Sequence, residues 1–526
     1  MKSLVRWFNR HPVLCTFAFV FICLCPLISQ RDFTYANELR YLSIVDEAIS
    51  EDRLVTFDNH GILYADKPPL FFWFMMMLRT LLGVHSIFAL SLLALIPAFV
   101  TVALMDRWLC KTQDVMPSAL SRSAMAMMLL TSGMFLGMSV FVRMDMLMCM
   151  FVVFSLYSFY MALRGIGRYE MHYWLMPVWI FLALFSKGPI GFIVPIVAIL
   201  GFLIHARHPK LLKVYLGRRT WITISILFLI WITAVYQEEG LDYIQNLLFH
   251  QTIDRGVNAF HHKHPVWFYA VNIWPVLMPF ALLSVPMFFT RSHGNSAVRL
   301  WHTTVVVTFV LCSSFSSKIA IYLLPMVPFL VYLFYPHVMI YGLTKWTRFA
   351  LYFPSGALSL AGLAVMAATI IKPSFIPLDF LFCPLVFVAG LLLAIGGGFG
   401  LYFSNKSWQK TILSISVSLM LGIFCVGFLT PKLNPWIGYG AVCAKAREMS
   451  PEGQVNVLFL LRPENMDVYV GSHPKDYALN IDRFIEDDPS GTLIIKTRYI
   501  NDALRAHLAG CQSAEVTKYT VFKLDR

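Results

Sequence analysis

Charged residues are scarce in this sequence. They make up 13% of the 526 residues, whereas hydrophobic residues make up 58% and the mean hydropathy is +0.66. A soluble globular domain of this length does not have that balance, so most of the chain is expected to lie in a lipid bilayer. The net charge of +13 comes from basic residues in short segments between apolar stretches, where they orient helices. The basic and aromatic pattern of a nucleic-acid-binding protein is absent, so we expect no nucleic-acid partner.

Cysteines at metal-binding spacing are also missing. Most of the ten cysteines lie in apolar runs, where a free thiol behaves as a small hydrophobe. In the tail, Cys443 and Cys511 can either pair in an oxidising compartment or remain two unpaired thiols, and the sequence leaves both open. The N-terminal segment lacks the small-residue cleavage site of a signal peptide, so the apolar run at 12–29 predicts a retained membrane helix.

Apolar runs predict about thirteen membrane spans, since a helix needs roughly 17 to 25 apolar residues to cross a bilayer. They lie near residues 11–29, 84–105, 121–141, 145–163, 173–186, 188–205, 220–236, 266–289, 300–315, 319–336, 348–371, 380–403 and 411–430. The segment 69–83 is short, follows a Pro-Pro pair and carries Arg79. It therefore predicts an interfacial helix and not another crossing.

The basic residues between spans predict the orientation. With Lys2, Arg6 and Arg10 in the cytoplasm, the short connections that carry at least two Lys or Arg fall on the same side, as the positive-inside rule requires. These connections are Arg107 to Arg122, Arg164 to Arg168, Arg207 to Arg219, Arg291 to Arg299, Lys345 to Arg348 and Asn405 to Lys410. Counting 69–83 as a span would put the basic loops outside. With 69–83 as an interfacial helix, the number of spans is odd, and the C-terminal tail is expected outside the cytoplasm.

The composition changes after about residue 430. QVNVLFLL, DVYVG, GTLIIKT and TKYTVFKL have strand-like lengths and patterns, and NDALRAHLAG reads as a helix. The predicted fold is an all-α polytopic membrane protein with a small C-terminal α/β domain. The membrane domain covers 1–430 with outer loops at 30–68 and 237–265, and the soluble domain covers 431–526.

Polar residues gather on the predicted outer side. Ionisable groups at membrane depth cost about 2.5–3.5 kcal/mol each on insertion scales, so a one-sided set indicates a cavity. Arg40, Lys67, Lys187 and Lys318 form a cationic set suited to a phosphate. The alternative is that the lysines only snorkel at helix ends. The segment ANELRYLSIVDEAI predicts an amphipathic helix that lies on the membrane. The segment AFHHKHP contains three histidines, which either bind a metal together with a carboxylate such as Asp66 or are hydrogen-bonded surface side chains.

Those segments together resemble the ArnT family, bacterial glycosyltransferases of the GT-C type that move 4-amino-4-deoxy-L-arabinose from undecaprenyl phosphate to lipid A. The protein mannosyltransferases are more distantly similar. The similarity runs in order through ANELRYLSI, YADKPPLFFW, VRMDM, LFSKGPIGFIVP, RGVNAFHHKHPVWFY and SSKIAIYLLPMVP. KPPL, and SK followed by YLLP, carry most of it, and the tail is the least matched part.

The resemblance implies roles for individual residues. It implies that the carrier phosphate is bound by Arg40, Lys67 and Lys187, with Tyr64 and Tyr322 close to it. Asp145 matches a functionally required acidic position. We expect no required cofactor, but in relatives the pair matching Asp66 and His262 can hold a divalent, zinc-like metal near the donor phosphate. Asp66 stands in place of a family Glu and is one methylene shorter.

The catalytic base is the main departure from the family pattern. Asn37 stands where the family usually has the Asp of an acidic pair, and an amide cannot act as a base. Either Glu38 or Asp145 takes that role, or the acceptor needs no base because it is already an anion, such as a lipid A phosphate. The sequence leaves these alternatives open.

The resemblance thus predicts an inverting glycosyltransferase of the bacterial inner membrane with a periplasmic active site. Its expected partners are an undecaprenyl-phosphate-linked sugar, aminoarabinose-like or other, lipid A or another envelope acceptor, and membrane lipids. One alternative is a protein O-glycosyltransferase of the protein mannosyltransferase type. Another is a secondary transporter, which predicts mid-bilayer charges in broken helices and a repeat relating two halves. The charges here lie at helix ends, and no such repeat is visible.

Overall fold

The computed structural model describes residues 2–247, 264–290, 295–374 and 378–524. The chain divides into two compact units. The membrane unit comprises Met1–Cys25, Ala65–Phe71 and Ser91–Val426, and the loop-and-tail unit comprises Pro26–Tyr64, Phe72–Leu90 and Gly427–Arg526. The loop after the first span and the tail are therefore parts of one unit.

Long apolar helices dominate the membrane unit. In the described residues, nine helices are long and apolar enough to cross a bilayer, which makes this a multi-pass membrane protein. They are Pro12–Gln30, Ile87–Thr112, Asp145–Arg164, Pro209–Glu239, Ser296–Ser314, Ala320–Tyr341, Lys345–Ile371, Pro384–Phe403 and Trp408–Gly427.

The remaining predicted spans are two bent helix pairs and two single helices. Ala119–Leu130 and Gly133–Val140 meet at 72°, and Phe268–Leu277 and Ala281–Phe289 meet at 120°, so the span count reaches eleven if each pair is one crossing. Two further helices, Tyr169–Lys187 and Pro189–His205, also match predicted segments. The second has only 17 residues, about 26 Å at 1.5 Å per residue, which is just under the hydrocarbon thickness.

Small residues bring two of the spans very close together. A Cβ atom added at Gly362 of Lys345–Ile371 would collide with backbone atoms of Gly390 and Ala394, and one at Gly397 would collide with the backbone at Ser359. Helices in lipid gain association energy from such close backbone approach, because apolar side chains gain nothing by leaving lipid for protein. We refer to this contact as the glycine seam.

Two short helices and a hairpin form the loop part of the loop-and-tail unit. Glu38–Ser50 is the predicted amphipathic helix, and its apolar face is buried. A hairpin follows, in which β1 (Asp58–Asn59) pairs antiparallel with β2 (Ile62–Leu63). The predicted interfacial helix spans Leu70–Leu82, and its 13 residues cover about 20 Å, too short to cross a bilayer.

The tail folds into a mixed five-stranded sheet with the order β4-β3-β5-β7-β6. The strands are β3 (Val455–Leu458), β4 (Lys475–Asp476), β5 (Thr492–Lys496), β6 (Ser513–Val516) and β7 (Tyr519–Lys523). β3 runs parallel to β4 and β5, whereas β7 runs antiparallel to β5 and β6. Short helices accompany the sheet at Thr430–Ile437, Gly440–Met449, Asp467–Val470, Ile481–Asp487 and Asp502–His507. The predicted small α/β domain is present.

One predicted strand is wrong. DVYVG forms the helix Asp467–Val470 and ends at Gly471, whose φ of +68° is the left-handed conformation that stops a helix. Its alternating valines resembled a strand because a single helical turn is too short to show its own period. The strands predicted in QVNVLFLL, GTLIIKT and TKYTVFKL are confirmed as β3, β5 and β7, and the helix in NDALRAHLAG is Asp502–His507. Cys443 and Cys511 are both free thiols.

Candidate functional site

A buried carboxylate lies at the centre of the ionic residues of the membrane unit. Asp145 begins the helix Asp145–Arg164, where the helix dipole favours an acidic side chain. It is 0% exposed. Arg143 Nε lies 3.0 Å from Asp145 Oδ2, and Lys187 Nζ contacts Asp145 Oδ1. Among the described contacts, two cations therefore face one carboxylate.

Lys187 reaches Asp145 from a break between two helices. It ends Tyr169–Lys187, and Gly188 then takes a φ of +99° before Pro189 starts the next helix. The Lys187 ammonium also lies 5.3 Å from the ring centroid of Tyr322, within cation–π range. Lys187 and Tyr322, which the resemblance placed near one phosphate, are thus neighbours in the structure.

Lys318 is buried against backbone carbonyls. Its Nζ donates to the oxygens of Phe315 at 2.5 Å and His264 at 3.1 Å, and only 4% of the residue is exposed. In the part of the chain that the structure describes, no carboxylate pairs with it. The two carbonyls hold the ammonium in place without neutralising it.

Asp66 and Lys67 lie beside an apolar cavity. Lys67 Nζ donates to the Asp66 carbonyl at 3.1 Å, and both residues are half-buried. A cavity of about 590 Å³ is lined by Asp66, by Gly188 and by apolar side chains, among them Phe192, Trp221 and Trp231. Gly188 follows Lys187 directly in the chain, so the wall of this cavity includes the residue next to that lysine.

In the loop-and-tail unit, Arg40 lies beside two aromatic rings. Its guanidinium lies 5.1 Å from the centroid of Tyr64 and 6.0 Å from that of Tyr41. Asn37 does not cap its own helix with its side chain. Its Oδ1 instead accepts a hydrogen bond from Arg40 Nη2 at 3.4 Å. Arg40, Asn37 and Tyr64 therefore form one cluster.

Both oxygens of Glu38 are occupied by local partners. Arg31 binds them through two hydrogen bonds, Nη2 to Oε1 at 2.7 Å and Nη1 to Oε2 at 2.8 Å. The backbone nitrogen and hydroxyl of Thr34 also donate to Oε2, at 2.8 and 2.9 Å. This pattern fits a carboxylate that fixes the start of its helix, and it argues against Glu38 as a proton acceptor.

Two partners of the predicted residues were not assigned from the sequence. Arg143 stands two residues before Asp145, and Arg31 stands seven residues before Glu38. The only signal for either was an arginine close to an acidic residue at the end of a span. His262, the predicted metal partner of Asp66, lies outside the described residues, so that metal pair stays a prediction. The convergence of all these side chains on one headgroup also stays a prediction.

Comparison with known proteins shows that the chain has a known fold. No protein-family model matches the chain. A crystal structure of ArnT from Cupriavidus metallidurans bound to undecaprenyl phosphate matches with a TM-score of 0.74 at 14% identity, over 99% of this chain and 98% of that one. The apo form of the same protein gives a TM-score of 0.71 at 15% identity. The chain has an ArnT-like GT-C fold.

Sequence relatives agree with the ArnT-like fold. The chain is 23% identical over 334 residues to the undecaprenyl phosphate-alpha-4-amino-4-deoxy-L-arabinose arabinosyl transferase of Erwinia tasmaniensis, covering 60% of this chain and 57% of that protein. It is 24% identical to the enzyme of the same name from Yersinia pestis, over 50% and 48% of the two chains. An uncharacterized protein of Aquifex aeolicus is 23% identical over 70% and 73%. The matches thus span about half of the length of the two transferases.

Proposed function

We propose that this chain is an integral membrane glycosyltransferase that takes a sugar from a polyprenyl-phosphate donor and delivers it to lipid A or another anionic acceptor of the envelope. The observations that carry the proposal are the ion pairs of Asp145 with Lys187 and Arg143 and the cavity of about 590 Å³ that Gly188, the residue after Lys187, lines. A cation next to an apolar cavity suits a ligand with a phosphate at one end and a hydrocarbon at the other. The ArnT-like fold and the transferases named above support the same chemistry.

In this proposal the apolar cavity receives the isoprenoid chain. Its volume falls in the usual range for small-molecule sites, and aromatic and aliphatic side chains form most of its wall. The phosphate then lies at the mouth, near Lys187 and Lys67. An ammonium has three N–H donors, and among the described contacts Lys187 uses one of them on Asp145.

The transfer step needs positive charge where the leaving group forms. The bond between the anomeric carbon and the carrier phosphate oxygen breaks, and its electron pair stays on that oxygen. The acceptor oxygen forms a new bond to the same carbon from the opposite face, which inverts the configuration. Lys187 and Lys67 stabilise the second negative charge that develops on the carrier phosphate. Asp145 positions Lys187 through their ion pair.

The engaged carboxylates favour an acceptor that is already an anion. Glu38 carries four hydrogen bonds, and Asp145 is fully buried between two cations, so neither is placed to remove a proton from a hydroxyl. A phosphate oxygen on the acceptor needs no base. This supports a lipid A phosphate over a protein Ser or Thr hydroxyl, which would be the acceptor of a protein O-glycosyltransferase.

The deciding experiment is turnover of a purified undecaprenyl-phosphate sugar by the full-length protein in proteoliposomes with lipid A, read by mass spectrometry. We expect Lys187→Ala to lower turnover by about 100-fold or more, the usual effect of removing one charge-stabilising group. Lys345→Ala, which changes an exposed lysine, should retain turnover. In a second reaction that also contains periplasmic proteins, a mass increase on those proteins instead of on lipid A would refute the proposed acceptor. Wild-type turnover of a correctly inserted Lys187→Ala protein would refute the site.

A further inference from the structure

Three segments of the loop-and-tail unit bring two histidines and an aspartate together. His60 is at the turn between β1 and β2, Asp467 begins the helix Asp467–Val470, and His473 lies in the loop after that helix. One donor atom from each of the three lies within 4.8 Å of the other two. Two imidazoles and one carboxylate form a common ligand set for Zn²⁺.

Each of the two imidazoles points its Nδ1 atom toward the other ring. His60 Nδ1 and His473 Nδ1 are 3.1 Å apart, and the rings are nearly perpendicular at 82°. Two nitrogens bound to one tetrahedral zinc at 2.0–2.1 Å would be about 3.3 Å apart. The observed distance between the two nitrogens is therefore within about 0.2 Å of the distance that a shared zinc ion requires.

Ser43 orients the other side of His60. The Ser43 hydroxyl lies 3.2 Å from His60 Nε2 and donates to Asp467 Oδ2 at 2.9 Å. A histidine that binds metal through one ring nitrogen nearly always donates the N–H of the other to a polar partner, which fixes its tautomer. The serine supplies that partner and joins His60 to Asp467.

Contacts outside the cluster hold the hairpin turn in place. His60 has a φ of +58°, a rare conformation for a residue with a Cβ. Glu47 stabilises it, because its two oxygens accept from the backbone nitrogens of His60 at 2.8 Å and Gly61 at 3.0 Å. The nearby Glu47 carboxylate also adds negative charge close to the cluster.

The loop that carries His473 is anchored in the same way. Gln454 Nε2 donates to the His473 carbonyl at 2.9 Å, and Arg447 Nη2 donates to Ser472 Oγ at 2.9 Å. Asp467 and His473 also line a cavity of about 730 Å³. This cavity gives an ion access and leaves room for water as a fourth ligand.

We propose that His60, Asp467 and His473 bind a divalent transition-metal ion, with Zn²⁺ as the best fit to this ligand set. The ion joins the first outer loop to the tail inside the loop-and-tail unit and stabilises that unit. This site uses neither residue of the predicted Asp66 and His262 pair. It also does not depend on the proposed glycosyl transfer, because its occupancy can be measured without substrate.

The test is metal content and titration of the full-length protein in detergent. After chelator treatment and dialysis, the protein is titrated with Zn²⁺ and with Co²⁺, whose visible absorption reports a tetrahedral site. We expect His473→Ala to lose one equivalent of bound metal relative to wild type, together with the rise in melting temperature that Zn²⁺ causes. His507→Ala should behave as wild type, since His507 is in the same unit but pairs with Asp488.

Two further variants make the result decisive. Ser43→Ala should keep the bound equivalent but weaken Zn²⁺ binding by about 10- to 100-fold, as loss of a partner behind a metal ligand does. His262→Ala should leave this equivalent unchanged, which separates it from any metal near Asp66. If wild type and His473→Ala bind the same number of ions with equal affinity, or if wild type binds none at this site, the proposal is wrong and the imidazoles share only a hydrogen bond.

Discussion

Asp145 and Glu38 illustrate two uses of a buried carboxylate in one chain. Glu38 is bound by Arg31 and Thr34, both within seven residues of it, so its contacts organise one helix start. Asp145 binds Arg143 locally but reaches Lys187, 42 residues away. Local pairing fixes the backbone, whereas long-range pairing fixes the relative position of two helix ends. In the second arrangement, Lys187 is followed directly by Gly188, which lines the cavity of about 590 Å³.

Replacing Glu38 by Gln is expected to act on stability. The change leaves the Arg31 guanidinium buried without its anion, a loss of about 3–5 kcal/mol for buried pairs. Thermal unfolding of the purified protein measures this. Glu448→Gln is the matched control, since the ion pair of Glu448 with Lys445 is exposed and such pairs contribute about 0–1 kcal/mol.

The same variant separates a structural role of Glu38 from a catalytic one. Below its melting temperature, Glu38→Gln should retain measurable turnover with the pH profile of the wild type. Loss of all turnover in protein that is still folded would instead identify Glu38 as the base.

The sequence motifs indicated some of the neighbouring residues of the candidate site but not others. The family resemblance grouped Lys187 with Tyr322 and Arg40 with Tyr64, and each pair is in contact in the structure, whereas phosphate binding by these residues stays a prediction. The ion pair between Asp145 and Lys187 was not predicted, because nothing in the sequence states that two helix ends meet. The cluster of His60 with Asp467 and His473 was not predicted for the same reason, because 413 residues separate the two histidines in the sequence.

At the scale of elements, Asp46 connects the two short helices of the loop-and-tail unit. It lies on Glu38–Ser50 and binds Arg79 Nε at 2.8 Å and His85 Nε2 at 2.8 Å. Partial burial alone would raise the pKa of Asp46, but the hydrogen bonds and positive charges of His85 and Arg79 outweigh burial and lower it below its usual value. The ionised form therefore stabilises the folded unit.

The contribution of Asp46 should disappear in acid. Because its pKa is lower in the folded than in the unfolded chain, its stabilisation is complete above the unfolded pKa, near 3.9, and is lost as the pH falls through the folded value. We expect wild type to melt above Asp46→Asn at pH 7, and we expect the difference to shrink as the pH falls below about 4 and to vanish below the pKa of Asp46 in the folded chain. A difference that is constant between pH 7 and pH 3 would contradict this.

The glycine seam makes a sharper prediction about helix packing. Gly397→Val puts a side chain against the backbone at Ser359 and should destabilise the protein by about 1–3 kcal/mol, as overpacking does. Gly398→Val is the control, because a Cβ at Gly398 meets nothing within 4 Å. Thermal melting of both variants in the same detergent measures the effect. Equal melting temperatures would show that the two helices do not pack at this seam.

Elements with strong periodicity were predictable, and short ones were not. The long apolar runs, the amphipathic helix Glu38–Ser50 and the buried strand β5 each repeat a pattern over enough residues to be read. β4 has two residues and Asp467–Val470 has four. Elements of that length take their conformation from neighbours and from a terminating Gly471, not from their own composition.

At the scale of the whole molecule, the basic loops make an orientation prediction. Cytoplasmic placement of the basic connections puts the C-terminal tail outside the cytoplasm. Alkaline phosphatase fused after residue 524 should be active, since that enzyme requires export, whereas a fusion in the connection after Arg207 should be inactive. The opposite pattern would invert the proposed location of the candidate site.

Contacts between the first loop and the tail carry a consequence for biogenesis. The Tyr469 hydroxyl donates to Asp32 across 437 residues, and Arg462 donates to the Ala36 carbonyl across 426. Contacts of such separation form late. During synthesis, residues 26–64 emerge early and must wait without their partners until nearly every span has been inserted. If synthesis stops before the tail is made, residues 26–64 therefore stay exposed, and chaperones and proteases can recognise the incomplete protein by this segment.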